Sequence, residues 1–282
     1  MPRESGCGRR AHSTCGPADD DGPMQCDHLL SVLLWKVDWQ HCVQSLHVVR
    51  PFISAHRGGL VVAGVPAAER YRRAIELGVD FVEFDVRKTR DGVAVICHDD
   101  CTVSGRFIRD FAYGELTEEL GTEALTFEEL LAVAGGKVGL HLDLKETGHA
   151  GAIVRTALDH CPIDRLVITG GDAAIRIVKQ EFPQVQAGLS IGEEITGLAP
   201  WQKLRVRLSE LFPRGRLERC HADFVAVHEQ LARLTVLRYC ESHGLPAWVW
   251  TVDDEAGIAH FLADRRVTTL ITNRPDVALR LR

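Results

Sequence analysis

The sequence runs to 282 residues, 45% hydrophobic and 26% charged, the balance of one large globular domain or two small ones with enough apolar side chains for a substantial core. A formal net charge of −6 excludes an extended cationic surface, so neither a nucleic-acid backbone nor an anionic membrane is an expected non-specific partner. The nine cysteines are odd in number, scattered and without CxxC spacing. They read as reduced thiols of a cytoplasmic protein rather than a disulfide framework or a zinc site, and Cys97 with Cys101 lacks the second pair a tetrahedral site requires.

Residues 1–50 differ from the rest, with a Gly/Arg/Cys-rich opening, the acidic run Asp19-Asp20-Asp21 and an apolar stretch from Leu29 to Trp39. Acids and Pro23 stand where a secretory signal would place basic residues directly before an apolar run, so export is not expected. Leu29, Leu30, Leu33, Leu34 and Val37 recur at helical spacing, which predicts a short packing helix, too short for stable membrane insertion. Residues 1–50 are read as an N-terminal extension, partly disordered or a short packing helix, before a catalytic domain spanning 51–282.

From Phe52 onward short apolar runs alternate with helical segments, the pattern of a parallel α/β protein. Strands are predicted near 52–56, 81–86, 137–143, 165–169, 185–190, 222–227, 246–251 and 268–272. Helices are predicted over 68–77, 126–134, 149–160, 172–182, 235–242 and 254–263. Thr126 ahead of Glu128 and Glu129, and Asp253-Asp254 ahead of the helix after the seventh strand, supply caps. Eight strands favour a closed (β/α)8 TIM barrel, whose chemistry sits at the carboxyl ends of the strands.

Those ends carry the candidate site. Glu83 and Asp85, two apart in Phe81-Val82-Glu83-Phe84-Asp85-Val86, share one strand face, and a divalent cation would offset the cost of two buried carboxylates. Asp143 and Lys145, in His141-Leu142-Asp143-Leu144-Lys145, likewise share a face and offer a third carboxylate and a cation. Asp91-Gly92 between alternating runs predicts a two-residue hairpin. If Arg90 pairs with Val93, His98 falls opposite Asp85 and Asp100 opposite Glu83. His56-Arg57-Gly58-Gly59 closes the first strand with a loop suited to an anion. His228 is placed to face the mouth from the sixth strand, while His141, His221 and His260 read as packing or surface residues.

The segments Ser54-Ala55-His56-Arg57-Gly58-Gly59, ELGVDFVEFDV and TRDGVAVICHDD, in this order and spacing, resemble the glycerophosphodiester phosphodiesterase family from about Phe52 to the C-terminus. Weaker echoes follow in ALTFEELLAV, HLDLK, AWVWTVDD and TLITNRPD. The resemblance implies a barrel of the phospholipase-C-like phosphodiesterase type that splits small-molecule glycerophosphodiesters into glycerol 3-phosphate and an alcohol, using one divalent ion, Mg²⁺ or Ca²⁺. It implies His56 and His98 as the acid/base pair, Glu83, Asp85 and Asp143 as metal ligands, Arg57 and Lys145 as phosphate contacts, and Trp250 as a wall of the substrate pocket. This chain has Gly64-Val65-Pro66-Ala67 where many members carry Pro-Glu-Asn-Thr, and Asp143 where glutamate is common. The segment from Cys101 to Thr126 is too short for a large inserted subdomain. Cleavage through a cyclic phosphate, and a non-catalytic barrel binding a phosphorylated ligand, are the alternative readings. The oligomeric state is not legible.

Overall fold

Eight parallel strands close into a ring in the computed structural model, which describes residues 50–282 apart from Ala63, Glu193, Glu194, Thr196 and Leu198. The ring is formed by β1 (Phe52–Ala55), β2 (Phe81–Lys88), β4 (Gly139–Leu144), β5 (Leu166–Gly170), β6 (Gln186–Ile191), β7 (Phe224–His228), β8 (Ala247–Trp250) and β9 (Val267–Thr272). Their order is β1-β9-β8-β7-β6-β5-β4-β2, closed by pairing of β1 with β2, and β3 (Ala94–Ile96) hangs antiparallel on β2. The predicted strands agree with this within about two residues at each end. The predicted N-terminal helix, and the extension except for its last residue, lie outside the described residues.

The alternation of β-strand side chains sorts the sequence into two cores. Val82, Phe84 and Val86 on β2, with Leu140, Leu142 and Leu144 on β4, are buried against the surrounding helices. Each such side chain contributes about 1.5–3 kcal/mol of transfer free energy. Inside the ring Phe81, Phe224 and Trp248 form an aromatic plug, with the Trp248 centroid 4.8 Å from Phe224 and 5.3 Å from Phe81. Two strand glycines make room for it: a Cβ on Gly139 would fall 2.5 Å from the Phe81 ring and one on Gly188 2.2 Å from Phe224.

The helices are α1 (Ala67–Glu76), α2 (Tyr113–Leu120), α3 (Phe127–Ala134), α4 (Ala150–His160), α5 (Asp172–Glu181), α6 (Pro200–Leu211), α7 (Arg214–Cys220), α8 (Leu237–His243), α9 (Glu255–Ala263) and α10 (Pro275–Leu281). Both expected caps are made. Thr126 Oγ1 accepts the Glu129 N–H at 3.2 Å while Glu129 Oε2 accepts the Thr126 N–H at 2.9 Å, and Asp254 Oδ1 accepts the Gly257 N–H at 2.8 Å. The helix predicted from 235 begins as a π-helical stretch, Ala232–Val236. No helix among the described residues is long and apolar enough to cross a membrane.

The β2–β3 hairpin corrects the predicted register by one residue. The pairs are Val86–Ile96, Arg87–Val95 and Lys88–Ala94, and the Cys97 N–H donates to the Asp85 carbonyl at 3.1 Å. Cys97, not His98, therefore stands across from Asp85. The turn holds three residues, Arg90-Asp91-Gly92, with Gly92 at φ +89°. Thr89 Oγ1 bridges Asp91 Oδ1 at 2.6 Å and the Val93 carbonyl at 3.1 Å. A three-residue turn ending in a left-handed glycine uses the same Asp-Gly pair as the two-residue turn.

Candidate active site

β2 and β4 run side by side with Asp85 opposite Asp143 and Glu83 opposite His141. The shared register, fixed by the outward Val/Leu/Phe residues, is what brings three carboxylates to one spot. Glu83, Asp85 and Asp143 are all buried, and one ligand oxygen of each lies within 4.8 Å of the others. Among the described residues two cations serve this cluster: Lys145 Nζ is 3.2 Å from Asp85 Oδ1 and 2.5 Å from Asp143 Oδ2, and Arg57 Nε is 3.3 Å from Asp85 Oδ2. Burial, then the charges of Asp85 and Asp143, push the Glu83 carboxyl well above the usual carboxylate range. Asp143 goes the other way: the Lys145 ammonium and the hydrogen bonds from Lys145 and Thr169 outweigh its burial and hold it low. An excess of buried, converging negative charge with hard oxygen donors suits a divalent cation.

β1 delivers the next two residues. Immediately after Ala55 the chain turns through His56–Gly58, and Arg57 takes left-handed angles, φ 52° and ψ 34°, a conformation that costs a non-glycine residue about 1–2 kcal/mol. The turn aims the Arg57 N–H at Glu83 Oε2, 2.8 Å away, and brings His56 Nε2 to 3.9 Å from the same oxygen. On its other side His56 Nδ1 lies 2.8 Å from Asn273 Oδ1. Asn273 Nδ2 donates to Asp253 Oδ2 at 2.7 Å, and the Asn273 N–H donates to Asp253 Oδ1 at 2.8 Å. A carboxylate only accepts, so the Asn273 amide must present its oxygen to His56, and His56 must carry its proton on Nδ1. Nε2 is left as a lone pair facing the carboxylates. Burial, and next the Arg57 charge, lower the His56 pKa.

A second chain lies one layer deeper. Thr169 Oγ1 donates to Asp143 Oδ1 at 2.8 Å, so it accepts from His141 Nε2 at 2.9 Å, and His141 Nδ1 accepts from Ser54 Oγ at 3.0 Å. His141, read from the sequence as a packing residue, is thus a neutral core histidine that orients Asp143. Burial drives its pKa down to about 3. Between that value and the ordinary ~6.5 the unfolded chain binds a proton that the folded chain refuses, so stability falls as pH falls through this window. Denaturant unfolding in chelator is expected to show a loss of up to about 1.4 kcal/mol per pH unit below pH 6, and His141→Gln should flatten that slope. An unchanged slope in the variant would move the origin elsewhere.

Of the other expected site residues, His98 sits at the rim of the mouth. Its Nδ1 is 2.8 Å from Asp99 Oδ1, and its carbonyl accepts from Arg87 Nε at 3.0 Å and from Nη2 at 2.7 Å. The hydrogen bond from His98, then its charge and that of Arg57, hold Asp99 below the usual carboxylate range, which puts the pair within the field of Arg57. Trp250 stands across the ring on β8, edge-on to His228 with centroids 5.1 Å apart, and its buried Nε1 finds no hydrogen-bond partner among the described residues. No hydrogen bond or ion pair joins His98 or Trp250 to the three carboxylates among the described residues. Asn273 and Thr169 are not singled out by the sequence, and Asp253 is read there only as part of a helix cap, although Asn273 and Asp253 stand in TLITNRPD and AWVWTVDD.

The chain is similar to known proteins. A glycerophosphodiester phosphodiesterase of Caldanaerobacter subterraneus subsp. tengcongensis is 24% identical over 255 residues, 83% of this chain and 98% of the relative. A Mycobacterium tuberculosis protein named probable glycerophosphodiester phosphodiesterase 2 is 28% identical, across 73% of this chain and 81% of its own. Two solved structures share the fold. The glycerophosphodiester phosphodiesterase of Thermotoga maritima superposes with a TM-score of 0.64 at 24% identity, covering 85% of this chain and all of its own. An Oleispira antarctica phosphodiesterase in complex with the product sn-glycerol-3-phosphate superposes with a TM-score of 0.64 at 21% identity, covering 82% of this chain and 96% of its own. The glycerophosphoryl diester phosphodiesterase family model matches residues 67–161, the stretch that holds Glu83, Asp85, His98, Asp143 and Lys145.

Proposed function

We propose that this protein hydrolyses glycerophosphodiesters to glycerol 3-phosphate and an alcohol with the help of one divalent ion, Mg²⁺ or Ca²⁺, held by Glu83, Asp85 and Asp143. The observation that carries the reading is the convergence of these three buried carboxylates within 4.8 Å, beside a histidine whose free nitrogen is turned toward them. The product-bound Oleispira phosphodiesterase of the same fold supports the substrate class. A bound divalent ion would supply Lewis-acid polarisation of a phosphoryl oxygen.

The chain's own groups account for the rest. Arg57 and Lys145, flanking Asp85, offer positive charge to the phosphoryl oxygens. His56, neutral and with its Nε2 lone pair exposed to the site, suits the base that takes a proton from attacking water as the new P–O bond forms. His98, paired with Asp99, suits the acid that delivers a proton to the alkoxide as the ester P–O bond breaks. Trp250 walls the alcohol side.

Incubation of the purified protein with Mg²⁺ or Ca²⁺ and a panel of glycerophosphocholine, glycerophosphoethanolamine and lysophospholipids, followed by phosphorus NMR, tests the reading. The expected first product is glycerol 3-phosphate. A cyclic phosphate as first product would assign the attacking oxygen to the substrate, and metal-independent silence on every diester would leave a binding barrel.

A further inference from the structure

Helix α6 is built inside out. It starts conventionally, with Pro200 in its first turn and the Gln202 side chain accepting the Ala199 N–H at 2.9 Å. Its protein-facing side carries a carboxylate: Glu210 is 3% exposed and accepts the Gly192 N–H at 3.0 Å. Its outward side carries the large apolar residues. Trp201, Leu204, Leu208 and, at the C-cap, Phe212 follow one another by three, four and four positions, so they form one stripe, and they are 65%, 61%, 49% and 67% exposed.

The helix lies at the catalytic end of the barrel. Gly192, which holds Glu210, is the first residue beyond β6. Thr235, whose hydroxyl donates to the Leu211 carbonyl at 3.0 Å, follows the carboxyl end of β7. In the ring order β6 stands four strands from β1, and the loop beyond β1 exposes Leu60 and Val61, at 58% and 68%. Apolar residues thus rim the mouth from opposite sides.

Charge identifies the occupant. The chain as a whole is acidic at −6, yet residues 200–219 hold Lys203, Arg205, Arg207, Arg214, Arg216 and Arg219 against Glu210 and Glu218. Lys203 and Arg205, on α6 itself, pair with no carboxylate among the described residues. Tryptophan, leucine and phenylalanine in one stripe, with Arg205 at its flank and Lys203 exposed on the opposite side of the same helix, are the composition of a helix that lies in the headgroup region of an anionic bilayer. A protein partner would be expected to meet such a stripe with an apolar face of its own. A bilayer meets it with acyl chains and meets Arg205 at its flank with phosphate, while Lys203 adds positive charge to the same helix.

We infer that α6 docks the mouth of the barrel onto an anionic phospholipid surface, peripherally and without spanning it. The inference goes beyond the hydrolase reading and does not depend on turnover. The test is co-sedimentation of the full chain, in chelator, with phosphatidylcholine vesicles with or without about 30% phosphatidylserine. Binding to the anionic vesicles is expected, weakened about tenfold or more by Leu204→Glu/Leu208→Glu and by raising the salt to about 0.5 M. Lys203→Glu/Arg205→Glu should remove the preference for phosphatidylserine, with circular dichroism of both variants matching the parent. Wild-type protein left in the supernatant would overturn the inference, as would binding that both variants retain. A dimer in light scattering that Leu204→Glu/Leu208→Glu dissociates would assign the stripe to a second copy instead. Because no substrate is turned over, failure here is separable from failure of the hydrolase assignment.

Discussion

Replacing His56 with alanine is expected to lower kcat by roughly 10²–10⁴-fold while leaving circular dichroism and thermal unfolding close to those of the parent. The ring is at the mouth, outside both hydrophobic cores, so its loss removes chemistry rather than packing. Its partners make the expectation more specific. Asn273, fixed by Asp253 at 2.7 Å and 2.8 Å, forces the His56 proton onto Nδ1. Asn273→Ala should therefore reduce kcat by about tenfold with KM little changed, since the ring remains but spends time in the wrong tautomer. Asn273→Asp would set a carboxylate beside Asp253 and is expected to be worse than alanine. His98→Ala should match His56→Ala in size if it is the acid. Rapid kinetics on a diester with an activated leaving group separates the two, because a good leaving group needs no protonation and rescues only His98→Ala. Near-normal turnover in His56→Ala would end the assignment.

The fold was legible because each barrel strand is a short run of Val, Ile, Leu and Phe whose outward residues face helices, a local signal that tertiary context reinforces. Glu83, Asp85 and Asp143 were legible for the same reason: once Val82, Phe84 and Leu142 are assigned outward, the acids have only the interior left. The hairpin was read one residue out of register because Asp91-Gly92 serves two turn types, and the side chain that selects between them, Thr89, makes its bonds only in the folded turn. Helix α6 is absent from the predicted helices although Trp201, Leu204, Leu208 and Phe212 recur at helical spacing; what the spacing does not record is that this stripe faces out while the buried residue is Glu210. The Asp253–Asn273–His56 chain joins β1 to the ends of β8 and β9, residues 217 positions apart for the last link. No local period records such a contact. Residues 1–49, where the sequence suggested a packing helix, lie outside the described residues.

Glu83→Gln should separate function from stability more sharply than any other single change. Among the described residues Lys145 and Arg57 are the Lys or Arg side chains paired with these carboxylates, and both pair with Asp85 rather than Glu83; Glu83 accepts the Arg57 N–H at 2.8 Å. Its carboxyl is raised well above the ordinary range, first by burial and then by Asp85 and Asp143. The sign follows directly. A carboxyl whose folded pKa lies above its unfolded value of about 4.3 holds its proton better in the fold, so folding stability declines as pH rises from there toward the folded value. Glutamine keeps an oxygen for the Arg57 N–H and removes the charge. At neutral pH in chelator the variant should melt higher than the parent, by about 2–4 °C for each kcal/mol relieved in a domain of this size. With metal the order reverses. The parent should gain about 2.7 kcal/mol at a hundredfold excess over Kd, the variant far less, and turnover of the variant should fall by at least about 10²-fold. A chelated variant that melts lower than the parent would show that Glu83 is a structural partner of His56 and Arg57, not a ligand held in readiness for a cation.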